Sequence, residues 1–369
     1  MKILKKLSCS ALSGLMLLQM LPVLANAGTE SQFKYTLKAD GTAKVSCTDT
    51  EIEIAEIPSE IDGHKITSLE QNCFYNCEKL KEVHIPETVT EIGSYAFYNC
   101  LSLEEMQIPA SVTTIESYAF EATPNIIQFS VEENNPAYQS PDGVLYNKSG
   151  YTLIKYPESK ADTSYKIPDT CQEIADWAFI GAQYLEQIDL NHVQHIGEDA
   201  FCWCVGLKSV TIPEGVETLE GAVFSYCENL EQVTLPASVE AIGNRCFYSC
   251  TNLKKVNLSE GLTKIGEYAF CHCTSLKELA VPKSMVSVNI DCMGYYYDEE
   301  KEDYLLQEGF KLYVYRNSAA WKYAATNHIE YEYIQTGLIY YILISIVLII
   351  IIALLIAIVR TIRNRRAEA

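Results

Sequence analysis

The chain's 369 residues carry 48 acidic against 28 basic side chains, a formal net charge of −20, and 48% of them are hydrophobic. That is enough apolar material for a large core, but the charge balance repels phosphate backbones and so excludes nucleic acid as a partner. Fourteen cysteines leave three uses to weigh: disulfides, metal binding or buried thiols.

In chain order, Lys2, Lys5 and Lys6 precede an apolar stretch from Leu7 to Leu24 and then Ala25-Asn26-Ala27. These are the three parts of a secretory signal peptide, expected over residues 1–27. Residues 28–56 contain Tyr35 to Leu37 and Ala43 to Val45 on either side of Asp40-Gly41, a hairpin signal. We expect this hairpin to be an N-terminal cap that hides an open sheet edge. Residues 57–131 are repeats, and the unit from Leu80 to Cys100 is the clearest: a Leu-x-x-Val-x-Ile-Pro strand, a Val-x-x-Ile-Gly segment and an Ala-Phe-x-x-Cys turn. Residues 132–166 break the period, with Val144 to Tyr146 and Tyr151 to Tyr156 flanking Asn147 to Gly150, an enlarged hairpin unit. Repeats resume over residues 167–288. Residues 289–336 are rich in tyrosine, hold the acidic run Asp298 to Asp303 and a short helical stretch from Ser318 to Thr326, and are expected to be a C-terminal cap. Residues 337–359 are apolar and, at ~1.5 Å per residue, long enough to cross a bilayer. Arg360, Arg363, Arg365 and Arg366 in the tail, residues 360–369, mark its cytoplasmic side.

The Phe-x-x-Cys pairs at Phe74 and Phe97 and, after an interruption, at Phe201, Phe224, Phe247 and Phe270 advance by 23 residues. A period of this size, with a short strand and a compact return, predicts an α/β repeat solenoid of leucine-rich type. The Ile-Pro, Val-Thr-x-Ile-Gly, Ala-Phe-x-x-Cys and Leu-x-x-Val blocks resemble the BspA-like leucine-rich repeats of bacterial surface proteins. The resemblance covers roughly residues 33–333. It implies a capped solenoid on a cell surface, and some members of that family are adhesin-like.

Within each strand the period of two sends alternate side chains outward. The outward pairs are Glu82 and His84, Glu105 and Gln107, Gln187 and Asp189, Ser209 and Thr211, Gln232 and Thr234, and Lys255 and Asn257; stacked, they form the candidate ligand face. Tyr95, Tyr118, Trp177 and Tyr268 share the position before Ala-Phe and form a candidate aromatic stripe, either a binding strip or half-buried packing. The Phe-x-x-Cys slot also accepts Thr123 and Ala182, so it selects small size and burial, and we expect free buried thiols there. Cys202-Trp203-Cys204, Cys271-His272-Cys273 and the pair His192 and His195 lack zinc-hook spacing, so no metal is assigned. No nucleophile elbow, metalloprotease helix, Walker loop or dinucleotide fingerprint occurs, so neither catalysis nor a cofactor is expected. The reading is a membrane-anchored binding protein for an extracellular protein or glycan, with an envelope scaffold as the rival.

Overall fold

The computed structural model describes residues 29–334 apart from 31 and 290. The expected signal peptide and membrane span lie outside the described residues; among those described, no helix is long and apolar enough to cross a membrane. The described chain winds into a solenoid of about thirteen turns.

Each turn of the coil has three sides. The first is a strand such as Glu82–His84, in which Val83 is buried and its two neighbours are exposed. Such strands stack in parallel, as with Ser209 opposite Gln232 and Gln232 opposite Lys255. The second side is a two-residue strand such as Glu91–Ile92, stacked in parallel on Thr114–Ile115. Its Ile-Gly signature has a steric cause. A Cβ on Gly243 would come within 2.6 Å of the Glu220 carbonyl of the preceding coil, so only glycine permits this approach.

The third side is the Ala-Phe-x-x-Cys turn, and its backbone was not foreseen. The residues two before and two after each ladder phenylalanine have positive φ, for example Asn72 (62°) and Asn76 (62°) around Phe74, or Arg245 (55°) and Ser249 (59°) around Phe247. Left-handed backbone costs a non-glycine residue roughly 1–2 kcal/mol. Hydrogen bonds between coils offset that cost: Asn76 N–H donates to the Tyr98 carbonyl at 2.9 Å, and Arg245 N–H to Glu267 at 2.8 Å.

The phenylalanines form the spine of the core. Phe201, Phe224, Phe247 and Phe270 stack with centroid spacings of 5.4, 5.6 and 5.1 Å. Phe74, Phe97 and Phe120 stack at 5.3 and 5.6 Å. The core divides into two clusters, one running from Phe33 to Leu145 and the other from Val144 to Ile329.

The division falls at the enlarged unit. There Tyr138–Gln139, Leu145–Asn147 and Thr152–Lys155 form an antiparallel meander, whose last strand pairs in parallel with Glu173–Ile174. The earlier two-residue ladder ends at Ile115, whose N–H donates to the Tyr138 hydroxyl at 2.7 Å. Buried Asn135 donates to the Pro109 and Val112 carbonyls and accepts from the N–H groups of Ala137 and Tyr138, so one side chain satisfies four backbone groups at the break. Tyr156 then stacks on Phe179 at 4.8 Å and takes the place of a ladder phenylalanine.

At the N-terminal end Phe33–Leu37 and Ala43–Cys47 pair antiparallel, and the second strand joins the two-residue ladder through His64–Leu69. At the other end Ser318 caps the helix Ala319–Thr326 by accepting from Trp321 N–H. The segment expected as a C-terminal cap also continues the outer sheet, because Glu278–Ala280, Lys311–Val314 and Glu330–Tyr333 pair in parallel.

Candidate binding surface

The outer sheet sets its side chains in two columns. Eleven of the twelve predicted outward residues are exposed: Glu82, His84, Glu105, Gln107, Gln187, Asp189, Ser209, Thr211, Gln232, Lys255 and Asn257. Thr234 is only half-buried. Sequence reasoning missed Gln128 and Ser130, Ser164 and Lys166, and the Lys311–Val314 and Glu330–Tyr333 strands, which extend the same face. Those strands lie in or beside the irregular units, where the Leu-x-x-Val-x-Ile-Pro signal is lost.

The face is not uniform in charge. Its N-terminal end carries Glu56, Glu82 and Glu105, and its C-terminal end Glu278, Glu330 and Glu332. Between them lie Gln107, Gln128, Ser130, Ser164, Gln187, Ser209, Thr211, Gln232 and Asn257, uncharged donors and acceptors interrupted by Lys166, Asp189 and Lys255. One border of the sheet is edged with ion pairs between successive coils: Lys81 with Glu53 at 2.7 Å, Lys208 with Glu186, and Lys254 with Glu231 at 3.0 Å. Exposed pairs of this kind are screened by solvent and add little, so they fix the border's charge pattern more than its stability.

The aromatic stripe is only partly continuous. Tyr95 stacks on Tyr118 at 5.2 Å, and Tyr118 meets Trp177 edge-on at 5.9 Å across the enlarged unit. Tyr268 stands apart, against Tyr304 at 4.7 Å with the Arg245 guanidinium 5.7 Å from its ring. In the intervening coils Asp199, Ala222 and Arg245 hold the equivalent left-handed position. All four stripe residues are half-buried. Further rings stack within Phe-x-x-Cys, at positions not assigned to the stripe from sequence: Tyr75 on Tyr98 at 4.8 Å, and Trp203 on Tyr226 at 4.1 Å.

Where Ala222 and Gly221 interrupt the stripe, a groove of about 430 Å³ opens, bordered by Glu198, Asp199, Arg245 and Tyr268. Asp199 is 2% exposed and its Oδ1 has no protein hydrogen-bond partner. Burial, then the neighbouring Glu198 carboxylate, pushes its pKa up to about 7. Glu121 is likewise raised to about 7 by burial, a rise that Lys155 opposes. Lys155 and Glu158 pair at 3.4 Å in the interior of the enlarged unit.

The thiols have a role beyond filling space. Cys100, Cys204, Cys227, Cys250 and Cys273 each donate to the carbonyl of the ladder phenylalanine or its equivalent one coil back, at 3.0–3.2 Å. Thr123 donates instead to Phe120 of its own coil at 2.8 Å. The slot therefore favours a small donor, which refines the expectation of size alone. All thirteen described cysteines are free. Among the described residues no group of histidines, cysteines and carboxylates could hold a metal ion. His195 lies in the His195–Ile196 strand.

Two parallel ladders, a turn spine and a repeat in the twenties define a leucine-rich repeat solenoid. More narrowly, the chain belongs to the BspA type leucine rich repeat region family, whose profile matches residues 46–163 and 172–297 in six copies. No curated protein matches it. Among solved structures it is similar to the pneumococcal vaccine antigen PcpA, at 19% identity over 85% of this chain and 99% of that one, with a TM-score of 0.60. It is similar also to a leucine-rich repeat protein from Eubacterium ventriosum, at 24% identity over 70% and 91% of the two chains, with a TM-score of 0.49. A leucine rich cell surface protein from Faecalibacterium prausnitzii aligns at 21% identity over 84% and 95%, with a TM-score of 0.44.

Proposed function

We propose that the protein is a membrane-anchored cell-surface binding protein whose outer sheet recognises an extracellular protein or glycan in an adhesin-like manner. The observation that carries this reading is the sheet's long row of short, uncharged donors and acceptors between two acidic ends. A chain of net charge −20 that keeps this stretch nearly neutral suits a partner engaged by hydrogen bonds over several coils, such as a glycan or an extended polypeptide. Leucine-rich solenoids are typically binding scaffolds without catalysis. Membership of the BspA type family, whose repeats resemble those of bacterial surface proteins, supports the location. In this reading residues 1–27 direct export, residues 28–56 and 289–336 cap the repeats, residues 337–359 span the membrane and residues 360–369 face the cytoplasm.

The rival is a scaffold of the cell envelope that recognises wall polymer or a neighbouring membrane protein. Protease treatment of intact cells and of wall-stripped cells, followed with an antibody to the repeats, separates the two. Loss of the repeats on intact cells supports the surface adhesin. Protection until the wall is removed refutes it.

A further inference from the structure

One pair of cysteines departs from the pattern of the rest. Cys47 ends the strand Ala43–Cys47, and its N–H donates to the Cys73 carbonyl at 3.0 Å. Cys77 closes the first Phe-x-x-Cys turn, its N–H donating to Phe74 at 3.1 Å. Its thiol has no preceding Phe-x-x-Cys coil to bond. Instead both thiols turn toward one acceptor, the Asp49 carbonyl, at 3.3 Å from Cys47 and 3.9 Å from Cys77. Cys47 is also the one half-buried thiol among the described cysteines; the other twelve are buried.

We propose that Cys47 and Cys77 are a redox-active pair that closes into a disulfide, stapling the N-terminal hairpin to the first Phe-x-x-Cys turn. The shared acceptor holds the two sulfurs together before any bond forms, and only Cys47 is open to an incoming reagent. The electrostatics assign the same order. The Cys77 thiol and the backbone N–H groups of Asp49 and Thr48 lower the Cys47 pKa, whereas hydrogen bonding to Cys47 and burial raise that of Cys77.

The oxidant is a low-molecular-weight disulfide. The Cys47 thiolate attacks one of its sulfurs, the S–S bond breaks, and one thiolate leaves. That thiolate takes the Cys77 proton as the Cys77 sulfur attacks Cys47 Sγ, and the second half of the reagent leaves as a thiolate that is protonated by solvent. Two protein thiols are oxidised and one reagent disulfide is reduced to two thiols. The closed loop spans about 30 residues, a length at which a cross-link removes substantial freedom from the unfolded chain. This chemistry is independent of the surface reading.

The test uses full-length protein, reduced and then exposed to oxidised glutathione, with peptide mapping under non-reducing conditions and thermal unfolding. The expected result is a Cys47–Cys77 linked peptide, two fewer titratable thiols and a Tm raised by ~5 °C. Cys77→Ala is expected to fold, because Ala182 fills the same slot in a later coil, and to stop at a glutathione adduct on Cys47 with no rise in Tm. A wild-type protein that stops at that adduct, links other cysteines or does not react overturns the proposal.

Discussion

Removing one ring from the phenylalanine spine tests how the solenoid is held together. Phe224 is fully buried and stacks on Phe201 at 5.4 Å and on Phe247 at 5.6 Å. Burial and cavity contributions for Phe→Ala amount to about 3–5 kcal/mol. Two stacked neighbours put Phe224→Ala near the upper half of that range, about 4 kcal/mol. Each coil touches only its neighbours, so the loss is local. Native-state hydrogen exchange should lose protection in the coils of Phe201, Phe224 and Phe247, while the coils of Phe74 and Phe97 keep theirs. Phe97 belongs to the other core cluster, so Phe97→Ala combined with Phe224→Ala should be additive within ~0.5 kcal/mol. Phe201→Ala with Phe224→Ala removes a shared contact and should depart from additivity by more. A cost for Phe224→Ala below ~1 kcal/mol, or equal coupling in the two double variants, refutes the spine as the organising element.

Three further outcomes follow from the packing and the buried charges. The pKa values of Asp199 and Glu121 lie near 7 in the folded protein, above about 4 for an unfolded carboxyl. Between those limits the folded state holds more protons, so the stability these two groups contribute is fully present below about pH 4 and is lost as pH rises through 7. Glu198, Glu121, Asp176 and the Cys202 thiol act on Asp199; Asp199→Asn should flatten this slope, gaining stability at pH 8 but not at pH 4 in urea titrations. Gly243→Ala forces a Cβ against the Glu220 backbone and should cost ~1–3 kcal/mol, read from the same titrations. Cys250→Ala deletes the thiol bond to Phe224, but that carbonyl keeps the Cys227 N–H at 3.2 Å. The loss should therefore be only about 1 kcal/mol.

The repeating side chains made the fold readable, because Phe, Cys, Ile-Gly and the inward strand residues each mark a fixed place in the coil. What stayed hidden was carried by the backbone or by single side chains. Trp177 and Arg245 give no composition signal for positive φ; their N–H groups donate to the Glu198 and Glu267 carbonyls of the next coil, bonds that exist only in the stack. Asn135 is one residue in an irregular unit, yet it satisfies four backbone groups. Asp199 reads as one more acidic residue until the coil buries it. The strand face was legible where the repeat is regular, at Ser209 or Lys255, and missed at Gln128, Ser164 and Lys311, where insertions disturb the period. The stripe was legible as a shared position, but the interruption at Ala222 mattered only once it became a groove.

The neutral centre of the sheet offers the sharpest separation of binding from folding. Gln187 and Gln232 point away from the core, two coils apart in one column, a separation of about 10 Å at ~4.8 Å per coil. Replacing both with arginine places two like charges roughly one Debye length apart, where repulsion is largely screened, and sets Gln232→Arg opposite Lys255, an exposed like-charge contact that costs little. Stability should therefore stay within ~0.5 kcal/mol per substitution. Two long cations on a face of short amides and hydroxyls would hold a flat hydrogen-bonded partner away and leave its groups unpaired. Binding to immobilised extracellular matrix proteins and glycans should fall at least tenfold. The same pair of substitutions at Glu278 and Glu330, in the acidic end, should leave binding to a neutral partner within about twofold. Full binding by the Gln187→Arg, Gln232→Arg variant, with stability unchanged, would remove the centre of the sheet as the ligand face and turn attention to the half-buried aromatic stripe.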